Sequence, residues 1–174
     1  MIQSFYTQLQ VSLRALREVV APALDSNNKQ ALEQFHLSLV TLEFLRARLP
    51  YSRRYVRMEL KHWITLGQKV LALLAPAWPA QTAVTDAIAL GQGKLADPEA
   101  DDEEYLIISR QLRELISGMV TDAAGHPLES QLDALIVAAT EHLLLCERVW
   151  CLPLGFELRP DELPSLEQLL TRVV

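Results

Sequence analysis

"LEQFHLSLVTLEFLRARLPYSRRYVRMELKHW", residues 32–63, decides the fold. Apolar residues recur through it at helical spacing, and no part of it alternates as a strand does. Pro50 stops the first run, because proline lacks an N–H and its ring clashes with the preceding turn. The stretch therefore reads as two helices: helix 2 over about 28–49, and helix 3 from residue 51 or 52 to just before Pro76. So short a connection makes them an antiparallel hairpin.

The helical period continues on both sides. Helix 1 covers about 2–20, with Ile2, Phe5, Leu9, Leu13, Leu16 and Val20 on one face, and Pro22 closes it. The polar "DSNNK" (25–29) supplies caps for helix 2. Beyond the rigid connector "PAWPA" (76–80), helix 4 spans about 80–90 and stops at Gly91 or Gly93. Asp97 stands where it can cap helix 5, with Pro98 as the first residue and acids behind it that suit the positive end of the helix dipole. Helix 6, about 128–150, lines up Leu132, Leu135, Ile136, Ala139, Leu143, Cys146 and Trp150, and helix 7 starts near Pro164. The expected fold is all-α: a single-domain bundle, 1–174, of six or seven helices, with helices 2 and 3 as its hairpin.

Composition agrees. A chain of 174 residues suits one domain, able to bury roughly 70% of its unfolded surface. Half of it is hydrophobic, which excludes an intrinsically disordered chain. The longest uncharged run, 70–85, is broken by Pro76 and Pro79 and falls short of the roughly 20 residues a membrane span needs. The start, "MIQSFYTQLQ", lacks a basic region followed by an apolar one, so a cytoplasmic protein without a signal peptide is expected. Cys146 and Cys151, five apart, fall on different faces of a helix, and reduced thiols are expected.

The hairpin carries two Glu-x-x-His pairs, Glu33/His36 and Glu59/His62, a spacing also found in carboxylate-bridged metal sites of helical bundles. Stepping about 100° per residue places His36 and Glu43 near the centre of one apolar face. A turn at Pro50 then sets Glu43 opposite Glu59, with each histidine about one turn away. Di-iron bundles draw their ligands from four helices, and helices 1 and 6 offer only Glu18 and Glu141, both off the apolar faces. The expectation is a polar patch in which Arg46, Arg48, Arg54 and Arg57 neutralise buried Glu43 and Glu59. A metal or small-ligand site built from Glu43, Glu59, His36 and His62 is the alternative.

Other constellations carry less. His142 and Cys146, one turn apart, read as a core pair, since no further zinc ligands stand at suitable spacing. "GQGK" (91–94) lacks the spacing of a phosphate-binding loop, and no serine stands in a nucleophile motif. Nothing asks for catalysis or a cofactor.

Charge is the most distinctive bulk property. Residues 1–95 hold 11 Lys and Arg against 6 Asp and Glu, while residues 96–174 hold 5 against 16. The arginine-tyrosine stretch 46–61 has the composition of a nucleic-acid surface, but a pI near 5.2 argues against that partner. Its expected counterpart is the acidic run 97–104 of the same chain. Segregated charge, a high apolar fraction and no catalytic motif together suggest a non-catalytic protein-interaction module of toxin-neutralising, chaperone-like or adaptor type. Its acids, above all Asp101, Asp102, Glu103 and Glu104, would favour a basic protein partner. A homodimer is compatible with the same reading.

Overall fold

A computed structural model describes residues 4–74, 78 and 80–171. Among them are seven α-helices and no strand. Helix α1, Phe5–Ala15, passes through a π-helical turn, Leu16–Val20, and ends with Ala21–Ala23. Then come α2 (Lys29–Arg48), α3 (Ser52–Leu73), α4 (Gln81–Ala96), α5 (Asp102–Asp122), α6 (Glu129–Trp150) and α7 (Leu166–Thr171). The 3-10 turn Leu49–Tyr51 joins α2 to α3 around Pro50. The first residues of helix 1, most of the "PAWPA" connector and the end of helix 7 lie outside the described residues.

Three boundaries differ from the sequence reading. Pro22 does not end helix 1 at Val20. Its ring would clash with the carbonyl four residues back, and the wide π turn just before it relieves that crowding. Helix α4 runs through Gly91 and Gly93 to Ala96. Gly91 serves packing: a Cβ there would stand 2.9 Å from Ile64 Cδ1, so its absence lets α3 and α4 approach. Helix α5 begins at Asp102 and not at Pro98, because Asp101 and Glu104 form a capping box that satisfies two backbone N–H groups. Asp97 instead ends α4, where its side chain accepts from the Glu99 N–H at 2.9 Å.

The helices fall into two compact units. Unit 1 is Met1–Ser52 with Trp150–Leu163, and unit 2 is Arg53–Val149 with Pro164–Val174. The arms of the expected hairpin belong to different units, the boundary falling one residue into α3. In unit 2 the amphipathic faces of α3 to α6 close one core, with Leu60, Ile64, Val70, Val84, Ile108, Leu112, Met119 and Leu132 buried. In unit 1, α1 packs on α2, yet among the described residues only Leu13 is buried, and α2 buries no residue across its 20.

Candidate functional site

Each of the four acids expected to meet a partner has a contact within its own chain. Asp101 Oδ1 accepts from the Glu104 N–H at 2.9 Å, and Glu104 Oε2 accepts from the Asp101 N–H at 3.0 Å. Glu104 also pairs with Lys94 of α4. That hydrogen bond holds the Glu104 carboxyl below its ordinary range and lifts the Lys94 ammonium above its own. Asp102 lies 3.3 Å from Arg53, and Glu103 lies 3.4 Å from Arg110 on the solvent side of α5. The basic and acidic stretches thus meet within unit 2.

Tyr105 anchors that meeting. Its ring is fully buried, with the guanidinium carbons of Arg53 and Arg57 at 5.5 Å and 5.2 Å from the ring centre. Arg57 donates to the Tyr105 hydroxyl at 2.6 Å and to the Leu95 carbonyl at the end of α4 at 2.9 Å. Arg53 donates to the Ala100 carbonyl at 2.9 Å. Planar guanidinium forks suit this task, since one group reaches several acceptors while stacking on an aromatic face. These two arginines therefore fasten α3 to the α4–α5 junction, and Arg54 stays exposed.

The two Glu-x-x-His pairs belong to different units, Glu33/His36 to unit 1 and Glu59/His62 to unit 2. Glu33 and His36 lie exposed on α2, and His36 Nδ1 sits 2.7 Å from the Leu32 carbonyl one turn back. Glu43 is partly covered and pairs with Arg17 of α1, not with the four arginines around Pro50. Of those, Arg48 donates to the Trp150 carbonyl at 2.7 Å and lies over the Trp150 ring. Glu59 and His62 belong to unit 2, and Glu59 makes no ion pair among the described residues. Burial raises the Glu59 carboxyl above its usual range, opposed by the nearby Trp63 indole, although Trp63 Nε1 makes no hydrogen bond, and by Arg113. Among the described residues, no group of three or more His, Cys, Asp or Glu side chains converges to hold a metal ion.

His142 and Cys146 do meet, with Cys146 Sγ 3.6 Å from His142 Nε2. Cys146 is buried and burial raises its thiol, so the sulfur stays protonated; Cys151 is exposed.

The surface that sequence reasoning missed lies on α2. Its half-buried stripe is Leu32, Phe35, Leu39 and Leu42, roughly 80° around the helix from the face centred on His36 and Glu43. A second stripe, Leu37, Val40 and Phe44, recurs at i, i+3 and i+7. Trp150 covers its C-terminal end by an edge-on contact with Phe44, at 6.3 Å between ring centres. Leu37 and Val40 stay uncovered, 55% and 43% exposed. Among the described residues, eleven of the fifteen exposed large apolar side chains lie in unit 1, which buries one. The available signal was that α2 is apolar on two sides, while one partner helix covers only one. No family model, curated protein or solved structure matches this chain, so its own residues carry the functional reading.

Proposed function

We propose that the protein is a non-catalytic, cytoplasmic protein-interaction module that binds another protein through the second apolar stripe of α2. The observation that carries this is the imbalance among the described residues of unit 1: one buried large apolar side chain against eleven exposed ones. Leu37 and Val40, three residues apart on one helix face, lie side by side there, and adjoining exposed apolar side chains rimmed by polar ones mark an interaction surface. Completing the burial of Leu37 and Val40 would contribute about 1 kcal/mol each, scaled from the 1.5–3 kcal/mol of a whole side chain. No described helix is long and apolar enough to cross a membrane. The net charge of −6 favours a basic partner. That preference rests on the field of the whole chain, because the run 101–104 is already engaged in folding.

The test compares the native chain with a Leu37→Gln, Val40→Gln variant of unchanged helicity, each used to recover partners from the native host. A basic protein held by the first and lost by the second is the expected result. Equal recovery by both would remove the stripe from the reading. A dimer in light scattering that the variant abolishes would make the occupant a second copy and overturn the choice of a basic protein.

A further inference from the structure

A second site lies in unit 2, between the middle of α3 and α6. A pocket of about 210 Å³ is lined by His62, Thr65, Leu66 and Lys69 from α3 and by Ala139 and His142 from α6. Its polar lining is one-sided. Two imidazoles and an ammonium line it, no carboxylate does, and Lys69 makes no ion pair among the described residues. The Thr65 hydroxyl is already used, donating to the Lys61 carbonyl at 2.8 Å. His62 Nε2 is buried without a hydrogen-bond partner. A buried polar atom left unpaired is costly, and a native structure that keeps one calls for an explanation.

The second imidazole, His142, stands one turn before Cys146, with its Nε2 3.6 Å from the Cys146 sulfur. His62, His142 and Lys69 thus bring two imidazoles and an ammonium to one small pocket. Its remaining wall, Leu66 and Ala139, is apolar and suits a short hydrocarbon tail. The volume is below that of drug-sized sites, which limits the ligand to a few heavy atoms.

We propose that this pocket binds a small monocarboxylate with a short alkyl chain, its carboxylate held by His62 and Lys69 and its tail against Leu66 and Ala139. The bound anion would supply the counter-charge that the lining lacks, since no carboxylate shares the pocket with Lys69 and the two imidazoles. His62 faces Lys69 on its own helix and His142 on α6, and both disfavour its protonation. Glu59, one turn earlier on α3, interacts with Arg110 and Arg113 of α5 and with Glu147 of α6.

Sodium butyrate is the probe, titrated into the full chain at constant ionic strength while the histidine ring signals are followed by NMR. Saturable shifts of His62 and His142 are expected, with His36 and His126 unmoved. Butyrate should raise the His62 pKa, and its affinity should fall as pH rises through the bound-state value. Lys69→Gln, at an exposed position, should weaken binding by at least about ten-fold, the loss expected when one charged donor is removed. No saturable response, or an equal response to sodium chloride, would overturn the site. Shifts produced by zinc and not by butyrate would replace it with a bis-imidazole metal site.

Discussion

Tyr105→Phe tests the arginine clamp on which unit 2 depends. The substitution removes one oxygen and leaves the buried ring in place, so both guanidinium–ring contacts persist. What is lost is the acceptor for Arg57 at 2.6 Å and for Arg53 at 3.4 Å. A hydrogen bond with a charged donor contributes about 1.5–3 kcal/mol. The Arg53 bond is long and its side chain is 47% exposed, so solvent discounts it to near nothing. Arg57 keeps its bond to the Leu95 carbonyl, which limits the damage. The expected loss is about 2 kcal/mol, read from urea denaturation followed by circular dichroism with an unchanged slope. Because the bond is partly buried, the difference should survive about 1 M salt, where exposed ion pairs fade. Arg57→Met, which removes both bonds and one ring contact, should cost more. A Tyr105→Phe loss below about 0.5 kcal/mol would show that the clamp is a surface pairing of little weight.

The glycines of α4 make a matched pair. Gly91→Ala should destabilise by about 1 kcal/mol, since crowding against Ile64 and Leu60 outweighs the better helix propensity, whereas Gly93→Ala, with nothing within 4 Å, should stabilise by about 0.5–1 kcal/mol. Opposite signs in denaturation midpoints check this, and equal effects would contradict the close approach of α3 and α4. The His62 pKa is depressed below 6.5 by burial, then by His142 and Lys69, so the stability tied to its neutral form is present above pH 6.5 and lost as pH falls through the depressed value. A folded His62→Gln variant should therefore lose less stability than the native chain between about pH 7 and about pH 5. A thiol reagent should modify Cys151 quickly and Cys146 only on unfolding, and equal native-state rates would show that α6 does not bury its sulfur.

Much of the fold was legible because helical period and proline punctuation are local signals. All seven helices stand near their expected places, and Pro50 marks the turn between α2 and α3. The boundaries that shifted depend on tertiary contacts. Gly91 looks like a stop until Ile64 is known to lie against it, and Asp97 looks like a cap until Asp101 and Glu104 are seen to bond each other. The candidate site was less legible for a related reason. The inward face of α2 is chosen by α1, and a helix with Leu, Val or Phe on two sides does not say which side its neighbour takes. Placing His36 and Glu43 at the centre followed from that ambiguity. His142 meets His62 and Lys69 only through the packing of α6 on α3, across more than 70 residues of chain.

Charge and apolar surface are distributed differently over the two units, and this separates their expected roles in binding. Unit 2 carries a net charge of −5 and unit 1 of −1, while unit 1 holds most of the exposed apolar side chains. Long-range fields steer encounter, whereas desolvated apolar contacts set how long a complex lasts. If the proposed partner docks on the second stripe of α2, the two effects should come apart in kinetics. Leu37→Gln with Val40→Gln should raise the dissociation rate by about 10- to 100-fold, the equivalent of about 1.4–2.8 kcal/mol, and leave association nearly unchanged. Raising salt should slow association and leave dissociation nearly unchanged. Neutralising Glu114, Asp122 and Asp133, which have no ion pair among the described residues, should mimic salt without touching the capping box. Neutralising Asp101 and Glu104 should instead show first as lost stability, because each of them holds the start of α5. An association rate indifferent to salt, with dissociation governed by the acids and not by Leu37 and Val40, would reverse the assignment and return the anchor to the acidic run.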